Sequence, residues 1–276
     1  MAERSIARPN YAAGVLAGIW LVIVAMPVVW MISWAVQRRS EYLANGPLAL
    51  PRNVTFGNVQ AVIAAGFTKY MVNSAIVTVA SIVLTLVLAL PAAYAIVRSR
   101  EWLAGTVFRM FLLGLAIPAQ ATIIPVYWIL TRLGLYDTLT GIVLPTVAFG
   151  LPLVILILAG SLRDVSGELY EAMTVDGAGP LRAFFRLTLP LSRGAITTVA
   201  IFSGLNAWNG FIFPLILTQS PEKRVATLGL WDFQQEYGVD VPMLMTAVLL
   251  SALPVLFLYL FARRWLVAGL AGVGGK

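Results

Sequence analysis

The residues able to make specific polar contacts are concentrated in one segment, 163–193. Ser166–Val175 contains no proline and spaces Leu169, Ala172 and Met173 along one side of a helix. Glu168 and Glu171 lie in its early turns, where the backbone dipole favours negative charge. Asp176-Gly177-Ala178-Gly179 is turn chemistry, because glycine adopts positive φ without steric cost and aspartate can cap the next element. Pro180 suits the first position of a second helix. There Leu181, Phe184 and Phe185 recur at helical spacing, with Arg182 and Arg186 on the other face. Pro190 is expected to end that helix. This is the chemistry of recognition: charges that set orientation, and two adjacent rings offered to something outside the bundle. A helix that only anchors in lipid headgroups would use the same residue types, so spacing alone leaves both readings open. Catalysis has little to work with. The chain holds no histidine and no cysteine, which excludes a histidine base, thiolate chemistry and histidine- or cysteine-ligated metal. No catalytic residue and no metal site are expected.

The elements that must position this segment are long and apolar. The chain is 60% hydrophobic and only 11% charged, against about 25% charged in a soluble domain. Its net charge of +7 sits in short clusters between uncharged runs, a loop pattern that implies no nucleic-acid partner. Six runs lack Asp, Glu, Lys and Arg: Tyr11–Val36, Tyr70–Val97, Met110–Thr131, Thr138–Leu162, Gly194–Pro221 and Val241–Ala262. Each is long enough to cross a bilayer, with spans at about 12–36, 70–97, 108–130, 139–162, 195–218 and 242–262. The expected fold is all-α: a polytopic membrane protein with six transmembrane helices in a single domain, 1–276, with a cytoplasmic helix–turn–helix loop at 163–193. The first run is too long for a signal-peptide core and has no small-residue cleavage site, so it reads as a retained helix. With the N-terminus inside, 12 of the 19 Lys and Arg fall on cytoplasmic segments. That bias predicts both termini in the cytoplasm.

The segment Glu171-Ala172-Met173, then three residues, Gly177, nine residues, and Leu187-x-Leu189-Pro190 resembles the E-A-A-x3-G-x9-I-x-L-P signature of ABC import permeases. Met173 and Leu187 depart from it conservatively. Other phrases extend the likeness over nearly the whole chain: Asn73-Ser74, Ala93-Tyr94-Ala95, Ile124-Pro125-Val126-Tyr127, Leu133-Gly134-Leu135, Trp208-Asn209 and the Gly269–Lys276 tail. In their order and spacing they are similar to the maltose-type carbohydrate permeases, in particular the smaller six-span partner.

The resemblance implies a type I ABC importer permease fold in the bacterial cytoplasmic membrane. It implies four partners besides lipid: a sister permease, two ATPase subunits and an extracellular solute-binding protein. ATP and Mg would be held by the ATPase, since this chain has no phosphate-binding loop and carries no cofactor. The function implied is half of a translocation path for a sugar or oligosaccharide. The coupling residues carried over are Glu171, Ala172, Asp176, Gly177, Ala178, Arg182, Phe184, Phe185, Leu189 and Pro190, with the helix after Gly177 docking on the ATPase. The loop between the fifth and sixth runs, with Trp231, Phe233 and Tyr237, would reach the binding protein. Asn209 beside Trp208 needs a partner amid hydrocarbon, so it makes an interhelical bond or lies on the path; Asn73 is the third candidate for the path. An ion-coupled secondary transporter is the alternative, and it is disfavoured because none of the six runs holds an ionisable Asp, Glu, Lys or Arg.

Overall fold

The computed structural model describes the main chain of residues 11–99, 101–235 and 238–271, and the side chains of all of these but 235 and 261–271. Regular structure among them is helical, apart from a two-residue antiparallel pair, Gln234–Gln235 with Gly238–Val239. The chain divides into two compact units, one of Met1–Ala65 with Leu230–Leu250 and one of Gly66–Gly229 with Ser251–Lys276.

The first unit begins with α1 (Tyr11–Ala35), whose apolar residues are exposed around nearly the whole circumference. A helix hydrophobic on every side is one whose solvent is lipid. Two short helices follow, Arg39–Asn45 and Gly57–Ala64. A polar knot ties the end of α1 to them: Asn58 Nδ2 donates to the carbonyls of Ala35 and Gln37, each at 2.7 Å, and Gln37 Nε2 donates to Ala49 O at 2.9 Å.

The second unit is built on α2 (Phe67–Arg98) and, further along, α5 (Leu139–Arg163). Its buried stripe on α2 is small and weakly polar: Ser74, Val77, Ser81, Thr85, Ala89 and Ala93. Small residues let helix backbones approach closely where no hydrophobic driving force exists between them. Against this stripe lies α5, where half of the most apolar stretch is buried. Ala89, Ala93, Val154, Ile155, Leu158 and Val199 form the main core. The turn into α5 is set by Thr138, whose hydroxyl accepts from Gly141 N at 3.0 Å. Gly141 must be glycine: a Cβ there would stand 2.3 Å from Leu135 O.

All six expected runs are helical, but among the described residues only four contain a single helix long and apolar enough to span: α1, α2, α5 and α10 (Val241–Ala271). The expected third span, 108–130, is bent by 92° between α3 (Trp102–Gly114) and the stretch Ala119–Arg132 that ends in α4 (Ile123–Arg132). Pro118 lies at the elbow in extended conformation, where it lacks the N–H that would continue the ladder. The expected fifth span, 195–218, stops at Trp208 (α8, Arg193–Trp208) and resumes as α9 (Ile212–Leu217). Pro214 explains part of this break. It has no N–H for Gly210 O, four residues back, and the Thr227 hydroxyl donates to that carbonyl instead at 2.7 Å.

Candidate functional site

Segment 163–193 folds as the pattern requires, with a different division of labour between its two helices. Ser166 caps the first, α6 (Gly167–Val175), by accepting from Glu168 N at 3.3 Å. Its exit is a glycine turn: Gly177 has φ +75°, and the amides of Gly177 and Ala178 bond back to Thr174 O and Met173 O at 3.0 and 2.8 Å. Pro180 opens α7 (Pro180–Ala183), which runs without a gap into a π-helical turn, Phe184–Thr188, and on through Leu189–Leu191. Pro190 therefore does not end the segment. In the π turn Leu189 N–H bonds to Phe184 O, five residues back, which widens the helix just before a residue that cannot donate.

The two halves are pinned to each other and to α2. Tyr170 OH and Thr188 Oγ1 are 2.9 Å apart and buried. Tyr94, near the end of α2, donates to Pro180 O at 3.1 Å. Its ring centroid lies 5.1 Å from that of Phe184, whose ring is 5.0 Å from that of Phe185. The Arg98 guanidinium stands 3.9 Å above the Tyr170 ring, a cation–π contact. An apolar groove of about 450 Å³ separates the second half from α2, lined by Leu86, Leu90, Tyr94, Leu181, Phe184 and Phe185.

This anchoring corrects the expectation that both aromatics face outward. Phe184 is 9% exposed and holds the loop to the bundle; Phe185, at 62%, remains accessible. The freer element is α6, before the turn. Glu171, Ala172, Asp176 and Gly177 are exposed, and Val175 is 88% exposed. Arg182 is exposed, whereas Ala178, Leu189 and Pro190 are half-buried. Sequence reading missed Tyr170, Thr188, Tyr94 and Arg98 as the pins. Tyr170 is buried and Met173, three residues on, is half-buried, so they form the inward side of α6; the spacing read from Leu169, Ala172 and Met173 left the ring out.

The other expected sites divide. Asn73 is buried and donates to the carbonyls of Glu222 and Arg224 at 2.9 and 2.8 Å. It latches the loop before α10 to α2. Its neighbour Ser74 accepts from Ala226 N at 2.8 Å. The Trp208 indole joins α8 to α10 through Ser251 O at 3.0 Å. Asn209 is exposed. Trp231 is 55% exposed, but Phe233 is buried, so it offers no surface to a binding protein. Tyr237 lies outside the described residues. Among the described residues no cluster of acidic groups suits a metal.

A family profile described as "Binding-protein-dependent transport system inner membrane component" matches residues 81–271. The chain belongs to this family. Among its relatives, a diacetylchitobiose uptake system permease protein of Streptomyces coelicolor is 34% identical over 260 residues, 93% of this chain and 85% of that one. A second diacetylchitobiose permease of the same organism is 32% identical over 95% and 94% of the two chains. In fold, the permease matches a chain of a bacterial ABC transporter that imports the acidic polysaccharide alginate. The TM-score is 0.83 at 20% identity, over 96% and 98% of the chains.

Away from segment 163–193, Asp137 holds the permease's α4–α5 turn to the segment after α9. Its carboxylate accepts from Gln219 N and Ser220 N at 2.9 and 3.0 Å, and from the Ser220 hydroxyl. These bonds, led by the Ser220 hydroxyl and assisted by the Lys223 charge, hold its pKa below the ordinary value. A depressed pKa stabilises the folded state above the unfolded value and fades as pH falls through the folded one. Asp137→Asn should therefore lower the melting temperature by a constant amount above about pH 5, and the gap from wild type should close below about pH 4. A thermal-shift series in detergent checks this; a gap independent of pH would show that the charge contributes nothing.

Proposed function

We propose that the permease forms half of the membrane path of a sugar importer and that α6, with the Gly177 turn, transmits ATP-driven motion to that path. A sister permease supplies the other half. Two ATPase subunits, holding ATP and Mg, dock on the cytoplasmic loop, and an extracellular binding protein delivers the sugar. Both termini lie in the cytoplasm, and the chain itself catalyses no reaction. The observation that carries this reading is the pinned helix–turn–helix. One half is fastened to α2 through Tyr94 and Phe184 and joined to the other by the Tyr170–Thr188 bond, and that other half presents Glu171, Ala172 and Val175 outward. A helix that only sat in headgroups would need no rigid pin to a spanning helix. A lever does, because displacement of α6 must reach α2. Neutral sugars also suit a path whose six runs carry no ionisable Asp, Glu, Lys or Arg.

The test replaces the docking face without touching the pins. In liposomes with both permeases, the ATPase and the binding protein, Ala172→Arg/Val175→Arg should remove binding-protein-stimulated ATP hydrolysis at least tenfold. A bulky charge forced into a partner's pocket loses the order of 2–4 kcal/mol of a hot spot. The permease pair should still co-purify. Retained stimulation in that variant would exclude α6 as the coupling element.

A further inference from the structure

The groove between α2 and the second half of segment 163–193 has a helix for each wall. Leu86, Leu90 and Tyr94 follow one another at four-residue spacing on α2, and Leu181, Phe184 and Phe185 line the loop side. Both walls belong to one compact unit. The one polar side chain on them is Tyr94, and its hydroxyl is taken up by Pro180 O. An occupant therefore meets only apolar groups. From Leu86 to Tyr94 is about 12 Å at the helical rise, close to the roughly 15 Å of one leaflet of a hydrocarbon core. Val79, Val83 and Val87 are exposed and four apart, so they form an apolar stripe on α2 that leads to the groove; Val87 stands on its wall. Leu181 and Phe185, 75% and 62% exposed, leave apolar surface bare on the loop side.

Charge accompanies this slot. Residues 180–193 carry Arg182, Arg186 and Arg193 and no acid. Arg182 and Arg186 each follow a groove residue in the chain and are exposed. Among the described residues neither makes an ion pair or a side-chain hydrogen bond, whereas Arg98 is committed to the Tyr170 ring. A neutral lipid or an apolar side chain would fill the slot and leave both guanidinium groups unmatched. An anionic phospholipid matches both features, because its chain suits an apolar slot one leaflet deep and its phosphate suits paired arginines at a membrane surface.

We propose that this groove holds an acyl chain of an anionic phospholipid whose phosphate is bound by Arg182 and Arg186, so that the lipid is part of the anchor fastening residues 180–191 to α2. Filling the space beside Phe184 keeps its ring against Tyr94. The inference rests on the coupling reading above for its effect on hydrolysis, and not for the site itself. It also divides the two readings that spacing leaves open: α6 meets protein, and the half after the turn meets the membrane.

The complete transporter, in phosphatidylcholine nanodiscs, receives a trace of phosphatidylglycerol or phosphatidylcholine carrying a diazirine on its acyl chain. After illumination, peptide mass spectrometry maps the labelled residues. Relative to labelling elsewhere on the spanning helices, phosphatidylglycerol should label 86–94 or 181–189 more than phosphatidylcholine does, by roughly fivefold for each arginine. Arg182→Gln/Arg186→Gln should bring phosphatidylglycerol down to the phosphatidylcholine level. Val87→Trp, which fills the slot from an exposed position, should reduce both. Excess unlabelled phosphatidylglycerol should compete, and inorganic phosphate should not. Unlabelled phosphatidylglycerol should also slow proteinase K cleavage within 163–193 several-fold, and the double glutamine variant should lose that protection. Equal labelling by the two lipids, labelling unchanged in the variants, or cleavage indifferent to phosphatidylglycerol overturns the proposal. So does capture of the sister permease or the ATPase by a short maleimide–diazirine reagent on Val87→Cys, in a chain with no natural cysteine, because the groove would then hold protein. If labelling and protection hold while binding-protein-stimulated hydrolysis ignores phosphatidylglycerol, the lipid site stands and the result counts against the coupling reading.

Discussion

Gly177→Val should abolish sugar uptake while leaving the permease in the membrane, and Gly177→Asn should restore most of it. The residue occupies φ +75°, the left-handed region. A Cβ built there meets nothing within 4 Å, so size is not what selects glycine. The cost of valine is backbone strain alone, on the order of 1–3 kcal/mol for a side chain held where it rarely goes. Branching at Cβ places valine at the upper end, whereas asparagine tolerates this region. Valine would relax by opening the turn, releasing the back-bonds from Gly177 and Ala178 to Thr174 and Met173. The exposed helix α6 would then lose its fixed angle to the anchored half. Uptake and binding-protein-stimulated ATPase, measured on both variants in liposomes, check this. Equal loss with asparagine and valine would mean that glycine is needed at a docking surface for its small size, and that strain is not the cause.

Phe184→Ala is expected to uncouple hydrolysis from transport, and Phe185→Ala to do much less. Phe184 fills the contact between the π turn and Tyr94, whereas Phe185 covers the mouth of the groove. Truncating a buried phenylalanine costs about 3–5 kcal/mol in a closed core, and the open side of this groove sets the expectation at about 3. That is enough to free residues 180–191 from α2 for much of the time. The variant should hydrolyse ATP without stimulation by the binding protein, move no sugar, and become sensitive to protease within 163–193. Phe184→Leu should recover most of the coupling. Tyr94→Phe removes only the bond to Pro180 O, about 1 kcal/mol, and should be mild. If Phe185→Ala proved the more damaging change, the accessible ring would be the coupling contact and the anchor incidental.

Much of this architecture was legible before any coordinates. Helical runs follow from composition, because lipid leaves the backbone no way to satisfy its polar groups except within its own helix. The loop was legible too. Gly177 as a left-handed residue and Pro180 as a first helical position are each set within a few residues of themselves, and both stand where local chemistry puts them.

What pattern could not supply were the contacts between residues distant along the chain. Phe184 and Phe185 are the same residue type in adjacent positions; one is buried only because Tyr94, ninety residues earlier, stands opposite it. Asn73 looked like a polar group on a path, and it is satisfied instead by carbonyls about 150 residues away. Pro214 and Pro118 advertise breaks, yet proline also lies inside continuous helices, as Pro91 in α2 and Pro254 in α10 demonstrate here. Whether a proline kinks or interrupts depends on what else satisfies the freed carbonyl. At Gly210 that is Thr227, supplied by a distant loop. Periodicity and turn chemistry are local, and they read directly from the chain. Burial and hydrogen-bond satisfaction are properties of pairs, and folding selects those pairs.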